Sequence, residues 1–252
     1  MNEDAAKMLD SFLSAEKEIT CGIGSEKKYN EIHGARFDGI LSLCKRYAPD
    51  SSARVLDIGR SRLSERLLRF YPNLQTLGFD LQSDDGGHRE SNDMTLVPHI
   101  AFNLLDSSRV SSWPNCGSFD LIVFSEVLEH IAIAPEYVLA MLASLLSDSG
   151  ILICTTPNAA AFKKRIMLAL GRNPYERLRF YALNPGHVRE YTRNELKCIV
   201  SRVGLKWINH SYADWVLPVS GDPPGKFLLI RALGLYPPFR RFQACVLGKR
   251  KS

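Results

Sequence analysis

Residues 53–80, ARVLDIGRSRLSERLLRFYPNLQTLGFD, constrain the fold of this chain more than any other stretch. A short apolar run, Val55 and Leu56, ends in Asp57-Ile58-Gly59. A helical pattern follows, with Leu63, Leu67, Leu68 and Phe70 on one side, and a second apolar run ends in Asp80. Together they spell a β-α-β unit with an acid at the carboxyl end of each strand. In open α/β sheets that edge binds nucleotide-like ligands. Gly59 permits a tight turn after the first strand. Asp80 stands 23 residues beyond Asp57, the kind of separation at which a second acid grips a ribose diol. An ordinary β-α-β unit with a glycine turn would show the same residues, so the rest of the chain must decide.

Further strand ends follow in order. Residues 101–106, AFNLLD, read as a third strand end with another acid. Residues 119–131, FDLIVFSEVLEHI, read as a buried strand running through Ser125-Glu126 into a helix. Then come GILICTTPN at 150–158 and GHVREYT at 186–192. With these segments the chain resembles the class I S-adenosylmethionine-dependent methyltransferases, in particular bacterial enzymes acting on small molecules or glycans. The resemblance runs from residue 55 to 205, with a closing strand near the C-terminus. It implies an α/β fold: a Rossmann-like seven-stranded sheet, mostly parallel with an antiparallel last strand, and helices on both faces. It also implies S-adenosyl-L-methionine as cofactor. Asp57 and Gly59 would hold its methionine part, Asp80 its ribose hydroxyls, and Asp106 would face the adenine amino group. Leu81, Leu105 and Ser125 are assigned to the same pocket. The chain departs from the family's Asp-x-Gly-x-Gly at Ser61, which occupies the second glycine position. Serine is small enough for close backbone approach unless a positive φ is required.

At 252 residues and 45% hydrophobic content the chain can bury a full core, and the reading is one domain. Residues 1–50 are capping helices, 53–215 the cofactor-binding core with an acceptor roof at 156–192, 216–241 an insertion, and 242–248 the closing strand. No run approaches the ~18 apolar residues of a membrane span, and the N-terminus lacks a secretory pattern. The six cysteines are widely spaced without a Cys-x-x-Cys pair, which suits small buried side chains in a reducing compartment. The expected location is cytoplasmic, with peripheral membrane contact as an extension.

Charge is unevenly placed. Residues 223–252 carry Lys226, Arg231, Arg240, Arg241, Lys249, Arg250 and Lys251 and no acid, so the net charge of +5 arises in this tail. A second basic stretch holds Lys163, Lys164, Arg165, Arg172, Arg177 and Arg179, with Glu176 its only acid. Such clusters are a solvated face or a site for an anionic partner. In residues 226–241, KFLLIRALGLYPPFRR, a short apolar helix flanked by cations fits peripheral contact with an anionic membrane. Packing of those apolar residues against the sheet is the competing reading.

Catalysis is expected after the fourth strand. If a helix begins near Ser125, Glu126, Glu129 and His130 share one face, and His130, aided by Glu126 and His187, can take a proton from an acceptor hydroxyl. Alternatively His130 locks the loop through hydrogen bonds. The Glu-x-x-Glu-His pattern also resembles metal-assisted O-methyltransferases of ubiquinone biosynthesis and of small-RNA 2′-hydroxyl methylation. That resemblance implies Glu126, Glu129, His130 and His187 as ligands for a divalent metal, an alternative not favoured here. Residues 155–192 are too long for a plain connection and should carry the acceptor, with Asn158, Arg165, Tyr175, Arg179, Tyr181, His187 and Arg189 as its polar and aromatic complement. The acceptor is read as a hydroxyl of a small molecule, a lipid-linked compound or a glycan. Nucleic acid is not favoured, since no recognisable RNA-binding module is present. A binding protein that keeps the fold without catalysis is the third reading.

Overall fold

The computed structural model describes residues 26–79, 97–178, 186–214 and 236–250. Asp80, Leu81, the helix expected at 3–18, the loop at 83–93, Arg179, Tyr181 and residues 226–235 lie outside the described residues.

Seven strands form one sheet in the order β3-β2-β1-β4-β5-β7-β6. They are β1 (Val55–Ile58), β2 (Leu74–Gly78), β3 (His99–Ala101), β4 (Phe119–Ser125), β5 (Leu146–Pro157), β6 (Leu205–Ala213) and β7 (Phe242–Lys249). β1 pairs in parallel with β2 and β4, β2 with β3, and β4 with β5. β7 alone runs the other way, antiparallel to both β5 and β6. The order reverses between β1 and β4, which opens the crevice where such sheets bind ligands.

The helices are α1 (Glu26–Tyr47), α2 (Arg62–Leu68), α3 (Pro135–Ser144), α4 (Phe162–Ala169) and α5 (Arg193–Ser201). Alternate strand residues feed two separate cores, as the period of two requires. On one face Val55, Leu121, Val123 and Ile153 meet Phe37, Ile40 and Cys44 of α1 and Leu63 and Leu67 of α2. On the other, Leu56, Ile58, Ile122, Phe124 and Leu152 meet Leu139 and Leu142 of α3 and Leu196, Ile199 and Val200 of α5. All four residues of β1 are buried, because a central parallel strand is covered on both faces. Cutting a fully buried side chain such as Leu142 back to alanine costs about 2–5 kcal/mol.

Local signals set the helix ends. Thr192 caps α5, its hydroxyl accepting from the Glu195 N–H while the Glu195 carboxylate accepts from the Thr192 N–H. Pro135 sits at the start of α3, where its missing N–H is harmless. α3 is shorter than its apolar pattern suggests, because β5 begins at Leu146 rather than 150. The polar residues 147–149 read as a turn, yet Leu146 pairs with Phe119 across a bulge. At Gly150 an added Cβ would lie 2.8 Å from the Phe119 carbonyl, so close approach of the two strands requires glycine there.

The helix expected from Ser125 onward does not form. β4 ends at Ser125, and Leu128–His130 is a single 3₁₀ turn. Glu126 adopts φ +54°, the positive-φ conformation that among described residues other than glycine is found here alone. That left-handed step breaks helical continuity. None of the described helices is long and apolar enough to cross a membrane. Cys44, Cys116, Cys154, Cys198 and Cys245 are free thiols.

Candidate functional site

The first corner of the site follows β1. Gly59 turns the chain at φ +86°, which a side chain rarely tolerates. A Cβ at Gly78, the end of β2, would lie 3.5 Å from the Gly59 Cα, so the two strand ends approach closely. Ser61 is extended, φ −156°, and therefore needs no glycine. It caps α2, accepting from the Leu63 N–H at 3.2 Å. Its own N–H donates to Ser64 Oγ at 2.9 Å, and that hydroxyl donates to Asp57 Oδ2 at 2.6 Å. Asp57 is thus buried and holds the glycine turn and the first turn of α2 together. Burial pushes its carboxyl up to about 8, against the opposing bond from Ser64. Across the crevice, the Val127 side chain stands 3.7 Å from where a Gly59 Cβ would be.

The floor beyond β3 is a 3₁₀ turn, Leu104–Ser108, capped by Asn103, whose side chain accepts from the Leu105 N–H at 2.9 Å. Leu105 packs against the core, and Asp106 is half-buried and paired with Arg109.

The second corner gathers residues from four distant segments. Glu126 accepts from Thr155 Oγ1 at 2.9 Å and faces Arg36 of α1 at 3.5 Å. Ser125 Oγ lies 3.0 Å from the same threonine hydroxyl. Glu129, 1% exposed, accepts from Thr156 Oγ1 at 3.1 Å, and its carbonyl accepts from the Val188 and Arg189 N–H groups. Burial lifts both carboxyls; Glu126 repels charge on Glu129 and lifts it further, while Arg36 and the Thr155 hydroxyl oppose the rise at Glu126.

His130 Nδ1 lies 2.8 Å from the Gly186 carbonyl. A carbonyl only accepts, so Nδ1 carries the proton and the neutral ring has its lone pair on Nε2. His187 meets His130 edge to face, ring centroids 4.9 Å apart. One nitrogen of His187 is 3.2 Å from Glu190 and the other 4.0 Å from Glu129. Glu190 also pairs with Lys164, whose ammonium donates to the Asn158 carbonyl at 3.2 Å. Burial pulls Lys164 down to about 8, while Glu129 and Glu126 hold it up. One ligand atom each from Glu129, His130 and His187 lie within 4.8 Å of one another, a carboxylate and two imidazoles.

A family model described as a methyltransferase domain matches residues 32–210. The chain belongs to that methyltransferase family. Its sheet order is that of the class I S-adenosylmethionine-dependent methyltransferases. Among solved structures, the chain is similar to Burkholderia thailandensis 1,6-didemethyltoxoflavin-N1-methyltransferase, crystallised with 1,6-didemethyltoxoflavin and S-adenosylhomocysteine. That match has TM-score 0.55 at 15% identity and covers 99% of this chain and 90% of that one. It is also similar to the N-methyltransferase NodS from Bradyrhizobium japonicum WM9 in complex with S-adenosyl-l-homocysteine, TM-score 0.52, 13% identity, 86% of each chain. The [4+2]-cyclase SpnF matches with TM-score 0.55 at 15% identity over 85% of this chain and 82% of that one. At such identities these likenesses show the fold. No curated protein matches the sequence.

Within the methyltransferase, the expected site residues divide into two groups. Gly59 and Ser61 line the turn at the crevice, and Asp57 braces that turn from beneath. Glu126, Glu129, His130 and His187 do converge, but not on one helical face. Glu126 turns to Arg36 and Thr155, leaving Glu129 with the two histidines. Asn158 and Arg165 do not reach for an acceptor. Asn158, buried, donates to the Pro238 and Arg240 carbonyls at 2.9 Å. Arg165 donates to the Ala160 carbonyl and lies over the Phe239 ring. Sequence reasoning missed Arg36, Thr155, Thr156, Lys164 and Glu190. The His187-Glu190 spacing was a signal; Lys164 was hidden inside a basic run that looked like surface.

Proposed function

We propose that this methyltransferase methylates an oxygen of a small-molecule, lipid-linked or glycan acceptor, with His130 as the general base. The observation that supports the reading is His130 itself, at the carboxyl edge of β4, its Nδ1–H committed to the Gly186 carbonyl. Its neutral tautomer is then the one that takes a proton at Nε2. S-adenosylmethionine, when bound, supplies an electrophilic methyl on a sulfonium. The crevice fits such a group: a side-chain-free turn at Gly59 allows close backbone approach, and Asp106 offers a half-buried carboxylate beyond β3. Asp57, Gly59, Ser61, Leu105, Asp106 and Ser125, with Asp80 and Leu81, are the residues assigned to hold it. Glu129 and Glu126 place buried carboxyl groups beside the histidines, and the Val188 and Arg189 N–H groups bind the 186–190 segment to the Glu129 carbonyl.

Calorimetry with S-adenosylmethionine tests the cofactor assignment. Asp80→Ala should weaken binding by about 1–3 kcal/mol. Unchanged affinity in Asp80→Ala and Asp57→Ala alike would sink it, and absence of binding would favour a non-catalytic member of the fold. A mass screen of methylated products over glycans, quinones and RNA identifies the acceptor class.

The grouping of Glu129, His130 and His187 favours a second reading, in which a divalent ion assists an O-methyltransferase, RNA 2′-hydroxyls included. Glu129, His130 and His187 would hold such an ion, which would supply Lewis-acid activation of an acceptor hydroxyl. Glu126 is not in that group, so the set is three protein ligands rather than four. Activity that survives a chelator and ignores added Mg²⁺ or Mn²⁺ removes this version.

A further inference from the structure

On α4, Lys163, Ile166 and Leu170 share one side at i, i+3 and i+7, while Leu168 follows Lys164 by four residues on another. Lys164 turns in to Glu190 and the Asn158 carbonyl. Lys163, Ile166, Leu168 and Leu170 are exposed, the three aliphatic residues by 43%, 51% and 67%. Leu178, further along the segment, is also exposed. Beside the helix lies the 3₁₀ turn Pro237–Phe239: Phe162 packs on Phe239 at 5.1 Å, and Tyr236, half exposed, meets Phe239 edge-on at 4.7 Å. Phe162 and Arg165 thus seat α4 on that aromatic turn. The same two segments carry Lys163, Arg165, Arg172, Arg240 and Arg241, against Asp214, which accepts from the Arg241 N–H, and Glu176 at the end of the first.

We propose that this face, α4 with the 236–241 turn, docks on a membrane surface bearing anionic lipid. Aliphatic side chains surrounded by cations are what an interfacial segment needs: burial in the headgroup–acyl boundary and attraction to lipid phosphate. Nucleic acid would use the cations and stacking rings but would leave Ile166, Leu168 and Leu170 in water. Lys164, on the other side of α4 from Ile166, joins the helix to Glu190, which also meets His187. Docking sets the rim of the site against the lipid; this last consequence rests on the proposed function, whereas the docking itself does not.

Co-sedimentation of the full chain with phosphatidylcholine vesicles, with and without phosphatidylglycerol, tests the proposal. The chain should pellet with the anionic vesicles only, and release as salt rises. Ile166→Ser/Leu168→Ser/Leu170→Ser and, separately, Lys163→Gln/Arg172→Gln/Arg241→Gln should each weaken binding about tenfold or more. Unchanged melting curves and S-adenosylmethionine affinity in both variants keep the loss specific to the surface. No pelleting with anionic vesicles at low salt overturns the proposal, and so does equal binding by both variants. Binding to a mixed-sequence oligonucleotide that only the charge variant loses, without vesicle binding, gives the face to nucleic acid instead.

Discussion

At the end of β1 the buried carboxyl of Asp57 is served by Ser64, seven residues on; at the end of β4 the buried carboxyls of Glu126 and Glu129 are served by α1, by two β5 threonines and by the 186–190 roof. Both arrangements keep carboxyl groups away from water, which is costly. The first is settled locally, with little chain to immobilise. The second requires segments up to 90 residues apart to converge, and each closure costs entropy. A chain that needed only a stable strand end would use the Asp57 solution twice. Convergence of acids, imidazoles and cations at one strand end is the pattern of a site that moves protons.

The sharpest way to break this contrast is at His130. His130→Ala should slow methyl transfer about 10²–10⁴-fold while S-adenosylmethionine affinity holds. A fall in melting temperature with normal activity per folded molecule would make the β4 cluster structural, like its neighbour. Asp57→Ala should do the reverse. It strands the Ser64 hydroxyl and loosens the Gly59 turn, so denaturant unfolding should show a loss of about 1–3 kcal/mol.

A subtler effect distinguishes the carboxyl of Asp57 from its shape. Its folded-state pKa, about 8, exceeds the ordinary 3.8. The folded chain keeps a proton that the unfolded chain has released. The stability this group contributes is whole below the ordinary value and fades as pH rises toward the folded one. Asp57→Asn keeps the shape and cannot titrate. Its stability relative to the parent should therefore climb from about pH 4 to about pH 8 and then level off. A flat difference across that range would place the carboxyl in contact with water. The smallest effect belongs to Ser61→Gly, which restores the family's second glycine. Losing the cap to glycine costs only a few tenths of a kcal/mol, and cofactor affinity should stay the same, since Ser61 already has an extended backbone.

The same contrast explains what could be read in advance. The β1 corner was legible because its partners lie within a few residues. Asp57, Gly59 and Ser61 appear as one motif, just as Thr192 and Glu195 announce the start of α5. The seven-stranded sheet was expected from the family resemblance, which rested on the polar signals after the early strands; the order itself comes from the structure. The β4 cluster was legible in membership and not in geometry. Glu126, Glu129 and His130 fit a helical face, but the left-handed backbone at Glu126 sends its carboxylate to Arg36 and the others toward the roof. Nothing within the sequence window fixes that φ. Lys164 shows the same limit: two lysines and an arginine in a row look alike until tertiary packing selects the one that turns inward. Docking was expected at 226–241, without weight given to the exposed aliphatic residues of α4, whose Phe162 packs on Phe239.

The parallel bridge between Asn158 and Tyr191 joins the two ends of the roof, and the Tyr191 carbonyl accepts from Ala159 N–H and Gln243 Nε2. The chain thus leaves the sheet and returns to it at one stitched point, as a branch leaves a trunk. Between α4 and Gly186 added length carries a small thermodynamic penalty, because Gly186, Val188 and Arg189 are held at His130 and Glu129 and loop entropy grows slowly with length. Under the proposed function, that stretch can change the acceptor while His130 and the Gly59 turn stay in place.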